Sequence, residues 1–433
     1  MSDPGLRDWS AAPRSAEPGR PALAARAAGP PRLALVPPAP AVQDPNRFMP
    51  GIEALRGLAA IAVVVCHMWA LTTASLFPGW QVVVGLGQWA VNLFFALSGF
   101  LLVSAFWTDG PRPSLREFYV RRFLRIAPAY WLSVVVLFLF LADRAVVFSE
   151  QGLRQALANL TFTQWLFPTT AGNLNVNGVY WTLSLEVVLY ALLPAFAWLI
   201  ARRPVVSGIG IIGVSVAYRL YVALDGRALE GVFFSSLPGT PEAAMRLFLV
   251  RQFPGIVSVM VLGMLLRWWI DHRPPAGPRR LAPGWLLVLL APSVVLLAWV
   301  TLGNDYRQWA VFTSFDLWLG LLLLPALAYA SADLAGHPAH WLRALMWLGR
   351  RSYGIYLWHF PIILLAFDRG AMFRPADTSW FWVRVAAAAG ATVLLGALSF
   401  RFVEEPARRW GRRLGARGAP TGQPPLIAWR AAP

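Results

Sequence analysis

Apolar residues in this chain fill long stretches separated by short connections in which arginine, proline and glycine recur. Ten of these stretches approach the roughly 20 residues an α-helix needs to cross the hydrocarbon core of a bilayer. They are 51–72, 85–107, 126–142, 178–200, 204–222, 249–270, 281–302, 309–332, 351–368 and 381–404. The pattern predicts an all-α fold, a polytopic membrane bundle of about ten transmembrane helices. A segment around Glu150 to Leu166 is only half apolar and contains Arg154, so it is expected outside the membrane or along its surface. Residues 1–50 and those from about Gly411 onward are rich in Pro, Ala and Arg and hold no long apolar run. Segments of that composition cannot bury enough surface to order themselves. They are expected as disordered tails around a transmembrane domain at residues 51–410, with no further domain after the tenth span.

Composition agrees with the pattern. Of 433 residues, 57% are hydrophobic and 14% charged, with a mean hydropathy of +0.53, which is more apolar surface than a soluble domain hides. The net charge of +17 does not point to nucleic acid, because the basic residues stand in short clusters between apolar runs and form no basic domain. Membrane lipid, phosphates and membrane orientation account for them better. Cytoplasmic loops retain positive charge, and the connections after the second, fourth, sixth and eighth spans hold 13 arginines against seven in the others, with six in each tail. Both termini are therefore expected in the cytoplasm, in a multi-pass protein of the inner (plasma) membrane. The single cysteine, Cys66, excludes a disulfide framework, a cysteine zinc site and an iron–sulfur cluster. All 38 basic residues are arginine, so lysine Schiff-base chemistry is excluded as well. No metal site is expected.

Ionisable groups inside a span are costly unless paired or facing a water-filled cavity, which makes them the first candidates for function. The strongest are Glu53, Arg56 and His67 in the first span and Glu186 in the fourth. Arg56 and His67 are 11 residues apart, which returns them to within about 20° of one helix face at a separation of about 16 Å. Glu186, in a helix running inward, is expected at a depth similar to that of His67, where the two meet. A neutral imidazole beside a carboxylate suits proton abstraction from a hydroxyl; a buried histidine held for packing and a carboxylate that packs or relays protons are the plainer readings.

Other polar groups are open to two readings each. Arg121, Arg122 and Arg125 are expected at the cytoplasmic mouth of the third span, where guanidinium forks bind phosphates or anchor the helix to anionic lipid. Asn92 and Ser98, with Gly99, interrupt an aromatic and aliphatic run and suit helix packing or substrate contact. Tyr356 and His359 share a helix face just before Pro361, at a hydrogen-bonded kink or a substrate contact. Cys66 points about 100° away from His67, which disfavours a cysteine–histidine dyad. His272, His337 and His340 are expected in loops without a role.

Six of these segments, in order, are Glu53-Ala54-Leu55-Arg56-Gly57-Leu58 followed by His67; Phe94-Phe95 to Ser98-Gly99-Phe100; Arg121 to Pro128; Tyr180-Trp181-Thr182-Leu183-Ser184-Leu185-Glu186 with Tyr190 and Pro194; Ser352-Tyr353 to Pro361; and Phe402-Val403-Glu404-Glu405-Pro406. Their order and spacing resemble the acyltransferase 3 family of membrane acyltransferases, over roughly residues 50–410. The resemblance implies a ten-helix bundle that takes an acyl group, commonly acetyl, from acyl-CoA on the cytoplasmic side. The acceptor it implies is a carbohydrate or glycolipid hydroxyl, or an antibiotic. It implies that Arg56 and His67 form the family's signature pair, that Arg122 and Arg125 match its cytoplasmic arginines, and that Glu186 matches its essential carboxylate. Two positions depart from the family pattern: Asn92 stands where an aspartate is usual, and Val187 where a second acidic residue is usual.

On that resemblance the phosphates of acetyl-CoA dock beside Arg56, Arg122 and Arg125. The thioester lies beside His67, acting as general base or acyl carrier, with Glu186 orienting it. Asn92, Ser98, Tyr190, Tyr356 and His359 are the expected substrate contacts. The rival from another class is a transporter or flippase for a glycan or lipid-linked substrate, against which the spans show no inverted halves. A sensor or scaffold without chemistry is the second rival.

Overall fold

A computed structural model of the protein describes residues 50–72, 80–107, 114–171, 177–272, 340–367 and 380–416. Among them every regular element is helical. The long helices are α1 (Pro50–Thr72), α2 (Trp80–Val103), α3 (Leu115–Phe140), α7 (Trp181–Arg202), α8 (Pro204–Leu224), α11 (Phe253–Asp271), α12 (His340–Ala366) and α13 (Phe381–Ser399). Short helices α4 (Arg144–Val147), α5 (Glu150–Leu160), α6 (Pro168–Ala171), α9 (Arg227–Phe234) and α10 (Glu242–Val250) fill connections. A π-helical turn (Phe400–Glu404) leads into α14 (Glu405–Ala416). Six helices among the described residues are long and apolar enough to cross a membrane: α1, α3, α7, α8, α11 and the run Phe381–Leu414. The expected spans at 281–302 and 309–332, and the tails at 1–49 and 417–433, lie outside the described residues.

Two helices start well ahead of the expected spans, and at α3 a cap explains it. α3 begins 11 residues before the expected position 126, because Ser114 caps it by accepting a hydrogen bond from the Glu117 backbone N–H at 3.1 Å. Ser-x-x-Glu is a capping-box pattern, and Glu117 then pairs with Arg121 one turn on. Arg122 and Arg125 are thus carried on the helix wall itself rather than at its mouth. α12 likewise starts at His340, ahead of the expected 351, so His340 is a helical residue and not a loop one. At the far end, the tail expected from Gly411 is helical through Ala416. Glu405 accepts from Arg409 at 3.0 Å and Arg412 at 3.3 Å along this helix, while Gly411 is buried against Leu124 of α3.

Packing of the bundle rests on glycines at helix crossings. At α1 and α12, Gly57 abuts the Leu345 carbonyl while Gly349 abuts the Glu53 carbonyl, so each helix offers a glycine to the other's backbone. α2 and α11 repeat the arrangement, with Gly99 against Met260 and Gly263 against Ala96. A Cβ at any of these four positions would run into main chain. Small residues let helix backbones approach closely where no hydrophobic drive separates helix from lipid. Inside, Leu93, Phe100, Tyr130, Leu185, Leu189 and Met260 form a continuous buried core. The result fixes α1, α2, α3, α7 and α12 around one polar interior.

Candidate active site

Those five helices enclose a cavity of about 100 Å³. Its polar lining comes from α1 (Arg56), α2 (Ser98), α3 (Arg122, Arg125), α7 (Glu186, Tyr190) and α12 (Ser352, Tyr356). Phe94, Phe95, Leu101 and Ile126 make its apolar wall. Arg56 is held in place by donating to Ser352 Oγ at 3.0 Å and by Glu53, 3.6 Å away on the same helix. The Arg122 guanidinium lies 5.8 Å from the Phe118 ring centroid. Its Nε and Nη1 are buried without a hydrogen-bond partner. Buried donors without acceptors cost free energy, and the cavity they border sets three guanidinium groups against one carboxylate. A small anionic group fits this charge imbalance, whereas sites that enclose a whole drug-sized ligand run to roughly 300–1,000 Å³.

Glu186 belongs to this cavity. It accepts hydrogen bonds from the Tyr190 hydroxyl, one turn along α7, and from Ser98 Oγ at 3.4 Å. Its hydrogen bonds do not include His67. The expected meeting of the two is replaced by another pairing: His67 Nδ1 lies 3.0 Å from the Val63 carbonyl oxygen and 3.1 Å from Nε2 of His359. The two imidazole centroids are 5.0 Å apart, and Phe360 meets the His67 ring edge-on at 5.4 Å. His359 is fully buried, and its Nδ1 lies 2.7 Å from the Tyr356 carbonyl oxygen. Carbonyl oxygens only accept, so in the neutral pair His359 carries its proton on Nδ1 and its Nε2 accepts from His67 Nδ1–H. The lone pair of His67 is then on Nε2.

Tyr356 joins the two parts of the site. Its ring borders the cavity, its hydroxyl donates to the Val179 carbonyl at 3.0 Å and lies 2.8 Å from Thr182 Oγ1, and its own carbonyl holds His359.

The family of acyltransferase domains matches residues 49–400. This chain belongs to that acyltransferase family. Its relatives include the peptidoglycan O-acetyltransferase OatA of Listeria monocytogenes, 26% identical over 84% of this chain and 57% of that protein. Another is the putative peptidoglycan O-acetyltransferase YrhL of Bacillus subtilis, 25% identical over 85% of this chain and 56% of the relative. The O-acetyltransferase OatA of Staphylococcus aureus is 22% identical over 84% of this chain and 58% of its own length. The chain thus spans somewhat over half the length of these relatives. No solved structure matches it significantly.

Within this acyltransferase domain, the helices that line the cavity fall inside the matched region, and α14 lies beyond it. Of the residues singled out in the sequence, Arg56, Ser98, Arg122, Arg125, Glu186, Tyr190 and Tyr356 border one cavity. Asn92 is fully buried and does not border it, and His359 contacts His67. Ser352, which anchors Arg56, and Thr182 were part of recognisable segments but carried no charge to mark them. Only the crossing of α1 with α12 brings Ser352 to Arg56.

Proposed function

We propose that the protein transfers an acetyl group from acetyl-CoA to a hydroxyl of a cell-wall glycan, with His67 as general base. The two acceptors within hydrogen-bond distance of His67 Nδ1, the Val63 carbonyl and His359 Nε2, are the observation that carries this reading. With Nδ1–H engaged by Val63 and His359, Nε2 is the nitrogen left to take a proton. It accepts the proton of the acceptor hydroxyl as that oxygen attacks the thioester carbonyl; the C–S bond breaks, and the thiolate leaves with the proton as free CoA. His359 takes the orienting part that a carboxylate plays in a hydrolase triad, accepting from Nδ1–H and stabilising the imidazolium that forms.

Arg56, Arg122 and Arg125 supply the anion-binding end of the site, and the buried, unpartnered donors of Arg122 suit a phosphate oxygen of the donor. The small volume of the cavity favours one phosphate or the acyl-bearing end over the whole cofactor. Glu186 balances one of the three positive charges and is itself fixed by Tyr190 and Ser98. Peptidoglycan O-acetyltransferases among the relatives make peptidoglycan the acceptor to try first. In this reading the protein is a multi-pass enzyme of the plasma membrane.

Membranes containing the wild type, incubated with radiolabelled acetyl-CoA, are expected to move label into glycan. His67→Ala is expected to lower that transfer by about 10²–10⁴-fold, the range for loss of a general base, at unchanged protein level. Undiminished transfer by this variant would overturn the proposal.

A further inference from the structure

A second cavity, of about 540 Å³, opens where α12, the π-helical turn and α14 converge. Three guanidinium groups line it, from Arg351, Arg401 and Arg409, against the single carboxylate of Glu405, with Leu398 and Phe400 as apolar wall. Glu405 is already engaged by Arg409 and Arg412. Neither Arg351 nor Arg401 joins an ion pair among the described residues.

Arg351 is set up as a receptor. Its guanidinium lies 3.9 Å over the Trp347 ring and 5.1 Å from the Phe400 ring, and Nη1 donates to the Trp347 carbonyl at 3.0 Å. Nε is buried with no partner. A guanidinium held by stacking, with donors to spare, binds a phosphate oxygen at little cost in side-chain entropy. Leu398 in the cavity wall is 40% exposed, and on the same helical run Phe402 is 66% and Trp410 57% exposed. These residues carry the apolar wall outward onto a segment long and apolar enough to cross a membrane. A free phosphate would leave that apolar surface unused, whereas an amphiphile uses both parts.

We infer that this cavity binds an anionic phospholipid, with its phosphodiester between Arg351 and Arg401 and its acyl chains along Leu398 and Phe402. Basic pockets between membrane helices take such headgroups. This cavity shares no lining residue with the one that holds Glu186, and the inference does not depend on how His67 and Glu186 act.

The full chain, purified in detergent and titrated with phosphatidylglycerol or phosphatidylcholine, is read by native mass spectrometry. Phosphatidylglycerol is expected to be retained in preference to phosphatidylcholine. Retention is expected to fall about 30-fold in Arg351→Gln/Arg401→Gln, the equivalent of about 2 kcal/mol for two arginines. Arg401→Gln alone, at an exposed position, provides the test if the double variant does not fold, with a drop of about fivefold. Equal retention of the two lipids by the wild type, or complete displacement of phosphatidylglycerol by inorganic phosphate, would overturn the inference.

Discussion

His359 Nε2 stands 3.1 Å from His67 Nδ1, joining residues 292 positions apart in the chain. The contact leaves His67 with its basic nitrogen free, and it assigns His359 a positioning part in the proposed transfer. His359→Leu keeps the site apolar but removes the acceptor, so kcat is expected to fall about 10–100-fold, as for the loss of a hydrogen bond to a charged group, with KM for acetyl-CoA unchanged. His359→Gln, which restores an acceptor, is expected to recover part of the rate. If both variants match the wild type while His67→Ala is inactive, His67 acts without this partner.

The arginine cavity makes a different prediction. Arg122→Gln/Arg125→Gln is expected to raise KM for acetyl-CoA at least tenfold, because each charge-assisted hydrogen bond to a phosphate contributes about 1.5–3 kcal/mol. Binding of a glycan acceptor should be unaffected. Equilibrium binding of acetyl-CoA to purified variants decides the matter, and wild-type affinity would remove these residues from the donor site.

Glu186 is the carboxylate facing three guanidinium groups in the cavity. Glu186→Gln keeps an oxygen for Tyr190 and Ser98 but leaves the positive charge unbalanced in a poorly screened interior. The expected result is tighter binding of the CoA product, by about tenfold, and a lower kcat, visible as stronger product inhibition. Weaker CoA inhibition would contradict a charge-balancing role.

The glycine crossings set a stability prediction. Gly349→Ala places a Cβ against the Glu53 main chain, and overpacking of this kind costs about 1–3 kcal/mol. It also pushes Ser352 away from Arg56. Gly210→Ala in α8 meets nothing within 4 Å and is expected to be neutral or stabilising by up to about 1 kcal/mol. Thermal unfolding followed by size-exclusion chromatography separates the two.

Much of the bundle was legible in the sequence, because the long apolar runs at 51–72, 178–200 and 204–222 can satisfy their backbone groups in lipid only as helices. α1, α7 and α8 accordingly lie within three residues of those spans. The starts of α3 and α12 were not legible from hydropathy, since arginines interrupt the apolar run just where, in α3, the Ser114 cap already holds the helix. The amphipathic C-terminal helix was hidden for a related reason: its arginines resemble a solvated tail until Glu405 pairs with them and Gly411 packs on α3.

For the site, the candidates could be read along the chain, because ionisable groups inside apolar runs are few. Which of them meet was decided by tertiary structure alone. Residue spacing along α1 and α7 predicts comparable depths for His67 and Glu186, but depth within a bilayer does not specify which neighbour a helix face turns toward. The glycine crossing of α1 with α12 brings His67 to His359 and Arg56 to Ser352. Tyr190 and Ser98 meanwhile hold Glu186 among the arginines. Those pairings depend on how closely particular backbones approach, which is a property of the packed helices and not of any one of them.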